Sequence, residues 1–165
     1  MRLVRGRAAG DSDALLDALR SVGEAHGVTV QAFDARYVAD REQLALAVEL
    51  ADRARERGEA IARDRAVEIL LYAAGRRQIQ RALEMGVADG GPAVVLVDNP
   101  DGDADREAAA VAAVRDCPEL VLEDVGPEEA ALCAFFGVSD RERAATGASL
   151  AELVRERVAL LVVER

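Results

Sequence analysis

Lysine is missing from this 165-residue chain: all 21 basic side chains are arginine. No lysine can grip the phosphates of a Walker loop, form a Schiff base or act as a general base. Tryptophan is missing too, aromatic residues amount to 3%, histidine occurs once (His26) and cysteine twice (Cys117 and Cys133). So few soft ligands predict neither a zinc site nor a disulfide framework, and no metal or other cofactor is expected. Cys133, inside the run AALCAFF, reads as a core thiol. No apolar run approaches the ~20 residues of a spanning helix. The opening MRLVRGRA turns polar without the pattern of a secretory signal, so a cytoplasmic protein with no membrane partner is expected.

Apolar residues make up 51% of the chain, enough to bury a real core, and the length suits one domain spanning residues 1–165. Its 31 acids give a net charge of −10, which with the missing lysine fits a salt-loving source with a GC-rich genome and argues against a polyanionic partner. The charge is not evenly spread, however. Between positions 53 and 81 stand eight arginines (Arg53, Arg55, Arg57, Arg63, Arg65, Arg76, Arg77, Arg81) against four acids (Glu56, Glu59, Asp64, Glu68). One basic region therefore sits on an acidic chain, although solvated helix faces with i,i+4 pairing would give the same count.

Period and punctuation predict a strand over 2–7, then a helix capped by Asp11 and closed by Gly27, with Leu15, Ala18, Leu19 and Val22 on one face. A strand over 28–33 and a helix over 40–57 follow, the latter with Leu44, Ala47, Val48 and Ala51 inward. The next helix covers 63–74, with Val67, Leu70, Leu71 and Ala74 on one face and Gly75 as its left-handed cap. A short helix restarts at once and ends at Gly86, its inner face Ile79, Ala82 and Leu83, its outer face Arg77, Gln78, Gln80, Arg81 and Glu84. The continuous apolar run over 93–97 reads as a central strand with a strand over 120–123 as its neighbour. Helices are expected over 103–116, from Pro127 to Gly137, and after the Ser149–Glu152 capping box, where Leu150, Leu153, Val154, Val158 and Leu161 form the buried stripe.

Catalytic constellations fail on inspection. The glycines of GVADGGP precede a strand, whereas a phosphate cradle precedes a helix N-terminus. The acid pairs Glu123–Asp124 and Glu128–Glu129 read as solvated faces, Ser139 and Ser149 lack a nearby base, and His26 merely ends a helix. The alternation of strands and helices does permit a second reading, a nucleotide-binding α/β enzyme with a parallel sheet.

The stretch LLYAAGRRQIQRALEMG, residues 70–86, resembles the signature of the KEOPS kinase-binding subunit family (TPRKB, the PRPK-binding protein). In that family a helix, a small-Gly-x-Arg-Gln-Ile turn and a second helix follow one another; Gly75, Arg77, Gln78, Ile79 and Ala82 fall on the pattern. VRGRA at 4–8, FDARYVADREQLALAVELADRA at 33–54, AIARDRAVEIL at 60–70 and LAELVRERVALLVVE at 150–164 extend the similarity over nearly the whole chain. Members often carry Ser before the glycine and a basic residue two places earlier, where this chain has Ala74 and Tyr72, so that serine's polar contact is not carried over.

The resemblance implies an α+β fold, with an antiparallel or mixed central sheet of about four strands and helices packed around it. It also implies a subunit that is not an enzyme. Its partners would be the Rio-like kinase/ATPase of PRPK type, through it the threonylcarbamoyl transferase that modifies the tRNA adenosine beside the anticodon, and the 3′ CCA end of tRNA. On this reading Ile79, Ala82, Leu83 and Met85 supply an apolar patch for the kinase. Arg63, Arg65, Arg76 and Arg77 grip phosphates and Tyr72 stacks on an unpaired base, with Gly75 and Gln78 of the turn completing the RNA-binding set.

Overall fold

The computed structural model describes residues 1–163. In chain order its elements are β1 (Arg2–Ala8), α1 (Ser12–His26), β2 (Thr29–Asp34), α2 (Arg41–Glu56), α3 (Arg65–Ala74), α4 (Ile79–Ala82), β3 (Pro92–Asp98), α5 (Ala104–Arg115), β4 (Leu120–Leu122), α6 (Glu129–Phe136), α7 (Asp140–Ala145) and α8 (Leu150–Leu160). Short 3-10 turns over Ala35–Tyr37 and Leu83–Met85 complete the list. The chain divides into two compact units, Met1–Ala35 with Gly86–Val125, and Arg36–Met85 with Gly126 onward.

The first unit is a sheet with helices. Its four strands run in the order β2-β3-β1-β4, and every pairing is antiparallel. The α+β class with an antiparallel sheet is therefore the fold, and the parallel arrangement that strand–helix alternation alone suggested is not. The apolar run over 93–97 does form the central strand, buried from Ala93 to Asp98. Its neighbours are β1 and β2, so the expected pairing with residues 120–123 is corrected: β4 lies against β1. Gly6 explains the placement, because a Cβ there would stand 2.6 Å from the Val121 carbonyl oxygen and 2.9 Å from Leu120 Cδ1. Only a residue without a side chain admits β4 at that edge. Leu15 and Leu19 of α1 and Ala110 and Val114 of α5 pack on Val4, Ala8, Ala32, Val95 and Val97 to make the core of this unit.

The second unit is helical. α3 is buried from Glu68 to Ala74 and packs against α2 and α8, which fits a helix that is apolar nearly all round. Four of its helices start on a side chain that accepts an otherwise orphaned backbone N–H, whereas α6 does not. Asp40 caps α2, Asp64 caps α3, Ser139 caps α7, and Ser149 with Glu152 forms the expected capping box of α8. Asp40 also pairs with Arg155, which joins the start of α2 to α8. Of the closing stripe, Leu153, Val154, Val158 and Leu161 are buried, Leu150 is half-buried, and Glu164, which ends the family-like stretch, lies outside the described residues. α7 has no buried residue and thus no apolar stripe, so periodicity did not announce it.

Candidate interaction surface

The segment singled out by sequence is α3, a glycine turn and α4. Asp64 accepts the Val67 N–H at 3.1 Å, while Gly75 ends α3 at φ 61°, its N–H and that of Arg76 returning to the Tyr72 and Leu71 carbonyls at 3.0 Å. Buried polar groups hold the helix in place. Gln43 of α2 accepts the Ala39 N–H at 2.7 Å and donates to the Tyr37 and Ala73 carbonyls at 3.2 and 3.1 Å, so a fully buried amide ties α2 to the end of α3. Glu68, also fully buried, accepts the N–H groups of Ile61 and Ala62 at 3.1 and 2.7 Å. Neither residue stood out in the sequence; a polar side chain inside an otherwise apolar stripe was the available signal.

The structure separates the arginine candidates by what they already touch. Arg65 forks Asp52 through two contacts of 2.7 Å, a bidentate pair that leaves little of its guanidinium for a phosphate. Arg76 donates to the Phe135 carbonyl and lies 4.8 Å above the Phe135 ring, fastening the turn to α6. Phe135 in turn meets Tyr37 at 5.0 Å and Phe136 at 4.9 Å, centroid to centroid, so Arg76 completes an aromatic cluster. Tyr72 is 3% exposed and presents no open face for stacking. Gly75 contributes backbone only. Arg63, Arg77 and Gln78 are exposed, and their side chains have no hydrogen bond or ion pair among the described residues. Arg57 and Arg81, absent from the candidate set, share that condition.

The apolar candidates divide in the same way. Ala82 and Met85 are fully buried, Ala82 as its inner-face position predicts, and neither offers a surface to a partner, which removes both from the expected docking patch. Ile79 and Leu83 were expected inside; they are 45% and 56% exposed. Four residues apart, they lie on the same side of the segment. An apolar pair thus faces solvent between the unpaired arginines Arg77 and Arg81.

Among the described residues no cluster of His, Cys, Asp or Glu could hold a metal ion, and no helix is long and apolar enough to cross a membrane. Burial above all, with Glu119 and Asp116 behind it, pushes the Cys117 thiol up, so its reactive thiolate is disfavoured. The antiparallel sheet lacks the parallel strand ends at which doubly wound enzymes bind nucleotides. A family model described as kinase binding protein CGI-121 matches residues 11–161. No curated protein matches the chain.

Proposed function

The chain belongs to the CGI-121 family of kinase-binding proteins, and from that premise we propose that it is a cytoplasmic, non-catalytic subunit of a KEOPS-type complex. It docks on the Rio-like kinase/ATPase, through it joins the threonylcarbamoyl transferase, and helps hold the 3′ CCA end of tRNA. The observation that carries the docking role is the solvent-facing pair Ile79 and Leu83. Two aliphatic side chains of that size in water gain free energy when a partner covers them, and flanking arginines suit the rim of an interface. Support for the RNA role comes from Arg63, a candidate left exposed and unpaired among the described residues, since phosphate contacts need free guanidinium forks.

The test is reconstitution from purified parts. The chain, the kinase subunit and tRNA with or without its CCA end are mixed and run on gel filtration, with affinities taken by anisotropy. Co-elution with the kinase and weaker binding of the trimmed tRNA are expected. A chain that leaves the kinase unbound removes the docking role, and equal affinity for intact and trimmed tRNA removes the role at the 3′ end.

A further inference from the structure

We propose that the RNA-binding surface of this chain is the loop joining α2 to α3, built on Arg57 and Arg63, and that Arg77 and Arg81 serve the kinase contact instead. This inference rests on the reading that the chain binds both a kinase and RNA, and it divides the free arginines between them.

The division follows from size. A stable interface covers ~800 Å2 on each partner. Ile79 and Leu83 stand ~6 Å apart along a helical rise, and Arg77 lies within ~7 Å of backbone from Ile79. A partner seated on the apolar pair therefore also covers Arg77 and Arg81, and a phosphate strand has no access to them in the assembled complex. Their charges then face acids on the rim of the kinase.

The α2–α3 loop lies at the other end of α3 from the glycine turn, ~15 Å of helical rise away, and is held by several hydrogen bonds. Ala54 accepts the Glu59 N–H at 2.8 Å, Arg55 Nη1 donates to the Arg63 carbonyl at 2.8 Å, and the Glu68 carboxylate takes the N–H groups of Ile61 and Ala62. The Arg55 bond brings the backbone of Arg63 beside the last turn of α2, where Arg57 is the C-terminal cap. Both Arg57 and Arg63 are exposed, with side chains unpaired among the described residues. The acids nearby are Glu56, Glu59 and Asp64, and the Asp64 charge is directed onto the N-terminus of α3. Phosphates of an RNA strand meet planar guanidinium forks there. A loop already fixed by backbone bonds loses little freedom on binding, which favours affinity without a large net positive charge.

Two double variants decide the matter, all four positions being exposed so that the fold is retained. R57A/R63A and R77A/R81A are compared with the wild-type chain for tRNA affinity across a NaCl series and for kinase binding. The expected result is that R57A/R63A weakens tRNA binding about 10-fold and lowers the salt slope by roughly 1.4, with kinase binding unchanged. R77A/R81A weakens the kinase complex and leaves tRNA affinity within about two-fold. The opposite pattern, or equal loss from both pairs, overturns the proposal. A wild-type chain that binds no tRNA at all instead brings down the RNA part of the proposed function, and this inference with it.

Discussion

Gly75 lies against Arg157 so closely that a Cβ on it would stand 3.1 Å from the Arg157 carbonyl oxygen. The same residue sits at φ 61°, in the left-handed region, and its N–H closes α3. Close approach and backbone conformation thus both call for glycine. Gly75→Ala pays for the left-handed backbone, ~1–2 kcal/mol, before any strain from the contact with α8. A loss of about 2 kcal/mol in urea unfolding is expected. Gly75→Asn, which tolerates the backbone angle but not the crowding, separates the two causes. Unchanged stability in Gly75→Asn shows that α8 can shift away, and unchanged stability in Gly75→Ala removes the backbone cost from the account.

Leu83 and Met85, two residues apart, make opposite predictions. Leu83→Glu places a charge on an exposed site, so the chain folds as before and the kinase contact weakens by ~2 kcal/mol or more, about 30-fold. Met85→Glu buries an unpaired charge and unfolds the helical unit, so lost kinase binding in that variant says nothing about the interface. Circular dichroism of each variant beside a kinase pull-down checks the pair. A folded Leu83→Glu chain that keeps the kinase moves docking away from α4.

Why Ile79 and Leu83 were read as inward beside Ala82 is a matter of length. Long helices announced themselves: Asp11, Gly27, Gly75, Gly137 and the Ser149–Glu152 box all act as the sequence suggests. α4 spans four residues, barely one turn, and over one turn the pairs Ile79–Leu83 and Ala82–Met85 are equally plausible inner faces. Tertiary packing chose the second. Nor could spacing reveal the roles of Gln43, Glu68 or Arg76, since their partners are backbone atoms, and for Gln43 and Arg76 those lie 30 and 59 residues away. The basic region was legible as charge; which arginines stay free was not, because pairing is decided by neighbours such as Asp52 and Phe135 that the fold brings in.

Acid should loosen the chain in a defined window. The Arg157 hydrogen bond holds Glu142 below its ordinary value of 4.5, and the Ser149 backbone N–H does the same for Glu152. The Ser12 backbone N–H lowers Asp89 from 3.8. A carboxylate whose folded value is depressed contributes stability above its unfolded value and loses it as pH falls through the folded one. Melting temperature is thus expected to hold at neutral pH and to drop as pH falls below about 4.5. The double variant E142Q/E152Q should show a flatter acid limb than the wild-type chain. An identical limb would place the titrating groups elsewhere.

Glu68 offers the sharpest test of the loop that presents Arg57 and Arg63. Its two carboxylate oxygens each accept one backbone N–H, from Ile61 and Ala62, inside a fully buried site. Glu68→Gln keeps the shape but swaps one acceptor for an NH2 donor, which then faces a backbone N–H. One of the two amides is left without a partner, at a cost of about 1–3 kcal/mol. The strain falls on the loop first, because α3 retains its cap at Asp64. Hydrogen exchange at the Ile61 and Ala62 amides is therefore expected to quicken more than at Leu70 or Leu71 in the middle of α3. If the loop is the RNA platform, the same variant weakens tRNA binding through lost order alone, with every arginine present and kinase binding intact. Unaltered protection at Ile61 and Ala62 would mean that the loop is held by its other bonds, and a loosened loop with full tRNA affinity would remove pre-organisation from the account.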